Sequence, residues 1–267
     1  MHYFCGVKIK EAVRALENFA PLSLQESYDN AGLQIGLTER ELSGALLCLD
    51  VTEEVVRVAE EKGCNLIVAH HPLLFHGLKR ISDGNYIERI VMRAIKQDIA
   101  IYAAHTNLDN AFGGVNFYAA EKLGLKDVAF LHPLESGLGG SGAIGDLPEA
   151  MSVAAFLKAL NQAFNTQWMM HSPAHTAAVR RVAMCMGAGS SFLKDAVQAG
   201  ADVFITGEMG HHAYFDYTDR IMVCALGHYQ SEIHVVELLA KVLSEACPTM
   251  RIETFTATNP EEIFTEK

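Results

Sequence analysis

The feature that most constrains the fold is an internal repeat. Residues 44–71, GALLCLDVTEEVVRVAEEKGCNLIVAHH, align without a gap with residues 181–208, RVAMCMGAGSSFLKDAVQAGADVFITGE. Each segment has an apolar strand carrying a cysteine, a turn with a capping hydroxyl, a helix, a glycine stop and a second apolar strand. The sequence therefore predicts the same βαβ unit twice.

A further strand follows each copy and ends in the same polar pattern. IAIYAAHTNLD ends with His105 and, four residues later, Asp109; IMVCALGHYQSE ends with His228 and, four residues later, Glu232. Strands that alternate with helices favour a mainly parallel sheet. We therefore expect an α/β protein with two similar lobes, residues 1–125 and 126–267, although an N- or C-terminal segment could pack on the other lobe.

Composition excludes several classes of partner. The 267 residues carry a formal charge of −11 with no cationic stripe, so nucleic acid is not expected as a partner. The six cysteines lie far apart without a C-x-x-C pair, which is typical of reduced core residues. There is no signal-peptide pattern and no apolar run long enough to span a bilayer, so we expect a cytoplasmic protein without a membrane partner.

Residues 126–150 include the glycine-rich stretch SGLGGSGAIGDLP. A phosphate-binding loop is one interpretation, but no Gly-Lys-Ser/Thr follows the glycines. We expect a connection between the two lobes instead. After it, residues 151–164 have the pattern of an amphipathic helix, and a last strand is expected after Pro248.

Polar side chains gather where the apolar strands end. His70 and His71 end the strand LIVAHH, and Asp109, His228 and Glu232 follow the next strand of each copy. In open parallel sheets, ligand sites lie beyond the carboxyl ends of the strands. The alternatives are a histidine satisfied within the core and an H-x-x-x-E pair on a helix surface. Adjacent histidines in extended backbone point in opposite directions, unless the strand turns towards Pro72 or each histidine binds its own ion.

Imidazole and carboxylate ligands together suit zinc, manganese or ferrous iron. Five protein ligands for two ions leave positions open to water, as in catalytic sites. The candidate ligands are His70, His71, Asp109, His228 and Glu232.

At these residues the chain resembles the Nif-three-like proteins, many of which carry the name GTP cyclohydrolase 1 type 2 homolog. The resemblance runs through SYDNAGLQIG, AHHPLLF, AAHTNLD, GLGGSGAIGDLP, ITGEMGHHAYFD and LGHYQSE, in that order. It covers essentially the whole chain and is closest to the short form of the family. Tyr28, where the family often has tryptophan, and Glu208, where aspartate is common, are mild departures.

The resemblance implies a two-lobed α/β protein with a dinuclear metal centre in the cleft, assembled as a toroidal homohexamer. It implies the same five ligands, with His105 either supporting a ligand or taking part in catalysis.

We expect a hydrolase in which two ions activate a water molecule. The resemblance implies attack on C8 of the guanine ring of GTP, and His105, His211 or His212 would move the proton. For His211 and His212 the alternative is capping or packing at the start of a helix. A metal-dependent phosphoesterase remains an alternative function, and so does a metal-binding interaction or regulatory protein without turnover.

Overall fold

The structure is a computed structural model that describes residues 7–217 and 219–261. Its described part contains helices and two separate β-sheets, which confirms the predicted α/β class. In chain order the elements are α1 (Ile9–Phe19), β1 (Gly32–Ile35), β2 (Ala45–Cys48), α2 (Glu53–Glu61), β3 (Leu66–Ala69), α3 (Tyr86–Lys96), β4 (Ala100–Ala103), α4 (Thr106–Asp109), α5 (Val115–Lys122), β5 (Lys126–Pro133), β6 (Gly140–Ser152), α6 (Val153–Phe164), β7 (Met170–His171), β8 (Ala178–Cys185), α7 (Leu193–Gln198), β9 (Val203–Thr206), β10 (Met222–Ala225), α8 (His228–Glu232), α9 (Val235–Ala246) and β11 (Ile252–Thr254).

The described chain divides into two compact units. The first unit contains residues 7–16, 30–104 and 239–261, and the second contains residues 17–29 and 105–238 without 218. The strands of the first sheet come from residues 32–103 and 252–254, and those of the second from residues 126–225. The division into lobes at residue 125 stays a prediction.

The first unit is a five-stranded sheet in the order β1-β4-β3-β2-β11. Its strands are parallel except β1, which runs antiparallel to β4. The central strands β2, β3 and β4 are buried at every position, as expected for parallel strands that read as continuous apolar runs. Helices α2 and α3 place apolar residues such as Val55 and Ile90 in the same core cluster as Leu46 and Ile67.

The second unit is a six-stranded sheet in the order β5-β6-β8-β9-β10-β7. Strands β8, β9 and β10 are parallel, and β5, β6 and β7 add antiparallel pairs. Its core cluster joins side chains from β8, α7 and β9, among them Ala183, Ala196 and Phe204.

The internal repeat is present in the strand register. The pair Ala45–Leu66 in the first sheet corresponds to the pair Val182–Val203 in the second, as the gapless alignment requires. Each helix of the repeat ends before a glycine with positive φ, Gly63 at +62° and Gly200 at +69°. Because a left-handed residue satisfies the last carbonyls of a helix, both glycine stops are confirmed.

The prediction for residues 126–150 is wrong. Instead of a connection, this stretch forms the antiparallel pair β5 and β6. Its glycines serve strand packing, because a Cβ at Gly140 would lie 2.7 Å from the carbonyl oxygen of His132 and one at Gly145 would lie 2.8 Å from that of Lys126. Contacts this short leave no room for a side chain.

The other local expectations are largely confirmed. Helix α6 covers most of residues 151–164, with Ser152 accepting a hydrogen bond from the Ala155 backbone, and β11 is the strand after Pro248. Among the described cysteines, Cys48, Cys64, Cys185 and Cys224 are buried and unbridged, and Cys247 is half-buried; Cys5 lies outside the described residues. Within the described ranges, no helix has the length and apolarity that crossing a membrane requires.

Candidate metal centre

In the first unit, the chain leaves strand β3 at the two adjacent histidines. The backbone N–H groups of His70 and His71 both donate to the carbonyl oxygen of Leu49, at 3.2 and 3.0 Å. The strand therefore turns at its carboxyl end, and the two imidazole rings lie side by side with centroids 5.0 Å apart. This turn removes the difficulty that extended backbone would point the rings in opposite directions.

Each of these rings is held through its Nδ1 atom. His70 Nδ1 lies 2.7 Å from the carbonyl oxygen of Ala104, and His71 Nδ1 lies 2.7 Å from Oδ1 of Asp50. A carbonyl oxygen can only accept, so His70 donates from Nδ1, and in the neutral ring the lone pair is on Nε2. Metal-binding histidines have this arrangement, in which an oxygen acceptor fixes the tautomer and the ring orientation.

The second unit repeats the pattern with two carboxylates. Asp29 has a fully buried side chain and accepts from His105 Nδ1 at 2.8 Å, while Glu208 accepts from His228 Nδ1 at 2.9 Å. Asp29 also accepts from the backbone N–H of Thr106 at 3.1 Å and from the Thr106 hydroxyl. Thus all four histidines that follow the strand ends direct Nδ1 to an oxygen.

His228 and Glu232 form a close pair of donors. They occupy the first and last positions of α8, and the predicted i, i+4 spacing places His228 Nε2 3.0 Å from Glu232 Oε2. Two ligands bound at about 2.0–2.1 Å to one ion are separated by roughly 3 Å. The Glu232 carboxylate is nearly buried and packs against Gly187, where a Cβ would lie 2.0 Å from Oε1.

A cavity of about 250 Å³ within the second unit brings four of the predicted residues together. His105, Asp109, His228 and Glu232 all line it. The remaining wall includes residues that the sequence did not single out as candidates, among them Glu26, Asn110, Asn116, Ser141 and Cys185.

The cavity is strongly electronegative. Burial raises the pKa of the Cys185 thiol, and the carboxylates of Asp109, Glu232 and Glu26 raise it further. Burial also raises the pKa of Tyr28, with additional increases from Glu26, Asp29 and Asp109. Both groups are therefore protonated at neutral pH unless a cation binds beside them.

His211 and His212 occupy a different place in the second unit. They begin a short 3-10 turn, both are exposed, and neither is among the described residues that line the cavity. The ring of His211 instead lies 5.4 Å from those of His212 and Phe215. Their catalytic role stays a prediction.

Sequence reasoning missed the acceptors that hold the histidines. Asp50 follows the end of β2 by two residues, just as His71 follows β3, so the strand-end rule could have identified it. The local pattern at Asp29, an Asp-Asn pair followed by Gly32, is typical of a turn. No short-range signal links it to His105, which is 76 positions away.

The donor set fits divalent metal ions. The described residues include groups of imidazole and carboxylate donors that could hold a metal ion, and His70, His71, His105, His228 and Glu232 belong to them. Asp109 is not a member of these groups, although its side chain lines the same cavity as His228. Imidazole with carboxylate is a ligand mixture that zinc, iron and manganese accept.

Comparisons with known proteins agree over most of the chain. The model of the family described as Duf34/NIF3 (NGG1p interacting factor 3) matches residues 7–261. NIF3-like protein 1 of Drosophila melanogaster is 36% identical over 259 residues, covering 92% of this chain and 87% of that protein. A GTP cyclohydrolase 1 type 2 homolog of Clostridium perfringens is 32% identical over 242 residues, covering 90% of this chain and 92% of that protein.

A solved structure has the same fold. The crystal structure of Staphylococcus aureus hypothetical protein SA1388 matches with a TM-score of 0.88 and 28% identity, covering 97% of this chain and 100% of that one. The family match, the two similar relatives and this structure confirm the resemblance found in the sequence motifs. The chain belongs to the Duf34/NIF3 family.

Proposed function

We propose that the protein is a metal-dependent hydrolase that binds two divalent ions. The proposed ligands are His70, His71, Asp109, His228 and Glu232, and the proposed metals are zinc, iron or manganese. The observation that carries this proposal is the common arrangement of His70, His71, His105 and His228, whose Nδ1 atoms all meet an oxygen acceptor at 2.7–2.9 Å. The expected position of the centre in a cleft stays a prediction.

Divalent ions bound to such ligands lower the pKa of water from about 15.7 towards about 7, which supplies a nucleophile at neutral pH. The residues of the chain then have distinct tasks. Asp29 holds His105 in one tautomer, with the proton on Nδ1 and the Nε2 lone pair available to accept a proton. Glu208 keeps His228 in the matching orientation for a metal ligand.

The names of the curated relatives support a nucleotide or a related heterocycle as the substrate. For the guanine ring of GTP, two water molecules would add at C8 in succession. Both C8–N bonds would break, C8 would leave as formate, and the two nitrogens would take up protons. In this proposal His105 accepts a proton from the attacking water and returns it to a leaving nitrogen.

Product analysis tests this proposal. The full-length protein is reconstituted with zinc, ferrous iron or manganese and incubated with GTP, and formate and phosphate are both quantified. Formate release supports the ring-opening hydrolase, whereas phosphate release would support a metal-dependent phosphoesterase. If neither product forms with any of these metals, the hydrolase proposal fails for GTP and a metal-binding regulatory role becomes the better account.

We also propose that the chain assembles as a toroidal homohexamer, as the family resemblance implies. Size-exclusion chromatography with multi-angle light scattering measures the mass directly. The expected mass is that of six chains of 29.2 kDa. A stable monomer at micromolar concentration would contradict the proposal.

A further inference from the structure

Among the described residues, carboxylates line the cavity of the second unit without any lysine or arginine to balance their negative charge. Glu26, Asp109 and Glu232 line it, and within the described ranges no lysine or arginine does. Two further carboxylates, Asp29 and Glu208, stand behind the lining histidines and hydrogen-bond to their Nδ1 atoms. Five carboxylates therefore surround a space of about 250 Å³.

Bound metal ions would not reverse this charge. Two divalent ions bring four positive charges, and the five carboxylates already exceed them. A phosphate group adds about 1.5 to 2 negative charges at neutral pH. The wall offers no cationic side chain among its described residues, so a phosphate group in the cavity would have only the bound ions to offset its charge.

Two amide side chains of the wall, Asn110 and Asn116, are held by hydrogen bonds. The amide nitrogen of Asn110 donates to Leu24 O at 2.9 Å and to Glu26 Oε1 at 3.1 Å, and its oxygen accepts from the Ser141 hydroxyl at 2.9 Å. Asn116 similarly donates to the Asp109 carbonyl and accepts from a backbone N–H. These amides are therefore fixed in the wall, and the carboxylates of Glu26, Asp109 and Glu232 supply hydrogen-bond acceptors beside them.

The remaining surface suits a flat apolar face. Tyr28, Met186 and Phe192 contribute apolar atoms to the lining. The cavity volume lies just below the roughly 300–1,000 Å³ that is typical of sites for drug-sized ligands. A ligand that fits is therefore small, partly apolar and equipped with N–H donors.

From these observations we infer that the cavity binds a neutral or cationic nitrogen heterocycle and excludes phosphate groups. This inference deepens the proposed hydrolase function and rests on it. In this binding mode, a ring edge that carries N–H groups faces the Glu26 carboxylate. Asn110 holds that carboxylate at the wall by a hydrogen bond. Any phosphate tail of a substrate would lie outside the cavity. It also weighs against the phosphoesterase alternative, in which a phosphate would occupy the catalytic position.

The test compares two probes that differ only in their phosphates. Guanosine and GTP are titrated into the metal-reconstituted, full-length protein by isothermal titration calorimetry, with metal content measured on the same sample. We expect guanosine to bind at least tenfold more tightly than GTP. Equal or tighter binding of GTP would overturn the inference, and so would the absence of guanosine binding by metal-loaded protein.

Salt provides a measurement that needs no variant. If the carboxylates repel the triphosphate, raising the ionic strength should leave GTP binding unchanged or strengthen it, because salt screens the repulsion. If cationic groups attracted the triphosphate, the same change would weaken GTP binding, and the inference would be wrong.

Glu26→Gln tests the wall residue itself. It keeps an oxygen to accept from Asn110 but removes one negative charge, so guanosine should bind several-fold more weakly and GTP more tightly. The matched control is Glu149→Gln, at an exposed residue of β6 that does not line the cavity. Equal effects of both substitutions would count against the role of Glu26.

The measurements distinguish a failure of this inference from a failure of the proposed hydrolase function. Metal-free protein after reconstitution would refute the metal centre, whatever the relative affinities. Metal-loaded protein that binds guanosine but produces no formate would refute ring opening and leave the ligand class in place.

Discussion

His228 has carboxylates at both of its ring nitrogens, Glu208 at Nδ1 and Glu232 at Nε2. The first contact fixes the tautomer, and the second places two metal donors side by side. His105 has the first kind of contact, since its Nδ1 lies 2.8 Å from the buried Asp29 carboxylate. At the scale of single residues, the site therefore depends as much on the acceptors behind the histidines as on the histidines themselves.

Asp29→Asn should change the tautomer of His105. The substitution replaces one carboxylate oxygen by an NH₂ group. The backbone N–H of Thr106 can only donate, so the remaining oxygen should stay on Thr106 and the NH₂ group should face Nδ1 of His105. Long-range ¹H–¹⁵N spectra should show His105 shifted towards the Nε2–H form. The free energy of unfolding should fall by about 1–3 kcal/mol because a buried acceptor is lost.

The control for this substitution is Asp216→Asn at an exposed position of the same unit. It should leave the His105 spectrum and the stability unchanged. An unaltered His105 tautomer in Asp29→Asn would contradict the positioning role of Asp29.

At the scale of elements, the strand ends bring the donors to their places. Strands β3 and β9 end at equivalent positions of the repeat, and β4 and β10 pair with them in the same register, Leu66 with Ala100 and Val203 with Met222. Strands β4 and β10 each lead into a short helix that has a histidine at or directly before its first residue and a carboxylate at its last residue. The register is therefore what makes the polar ends meet at one edge of each sheet.

Gly187→Ala should remove metal by displacing a ligand. A Cβ at this position would lie 2.0 Å from Glu232 Oε1, so the carboxylate has to move. Gly200→Ala is the matched control, because Gly200 has a similar positive φ and open space around it.

Both variants should lose about 1–2 kcal/mol of unfolding free energy from the left-handed backbone. Only Gly187→Ala should also lose bound metal, measured by elemental analysis. Full metal content in Gly187→Ala would show that Glu232 is not a ligand.

Much of this element order could be predicted from the sequence, because the two copies of the repeat carry the same apolar periodicity and the same glycine stops. Residues 126–150 could not be predicted this way. Composition favours a loop at Gly140 and Gly145, yet glycine is required there because an added Cβ would lie 2.7 or 2.8 Å from a carbonyl oxygen of β5. Such contacts between neighbouring strands leave no periodic signal.

At the scale of the whole molecule, five candidate ligands could be collected from motifs and strand ends alone. What the sequence did not reveal is the environment of the second unit's cavity, because Glu26 and Asp29 precede β1 and are about 80 positions from the residues they contact. Their tertiary placement turns a list of donors into an electronegative site. The net charge of −11 gave only a general indication of it.

Added metal should stabilise the folded chain. At a free metal concentration 100 times the Kd, binding contributes about 2.7 kcal/mol, which raises the Tm of a protein of this size by about 5–10 °C. The increase should disappear below the usual imidazole pKa of about 6.5, because protonated histidines do not bind metal. Differential scanning calorimetry at pH 8 and pH 5 checks both statements, and an increase that persists at pH 5 would argue against histidine ligands.

The central claim is that this chain binds divalent metal through His228 and its neighbours. Elemental analysis of the purified protein tests it most directly, with His228→Ala compared with His132→Ala. His132 also directs Nδ1 to a carboxylate, Asp195, but lies on β5 and does not line the cavity. We predict about two ions per wild-type and His132→Ala chain and a clear loss in His228→Ala; equal metal content in all three, or none in the wild type after reconstitution, would contradict the claim.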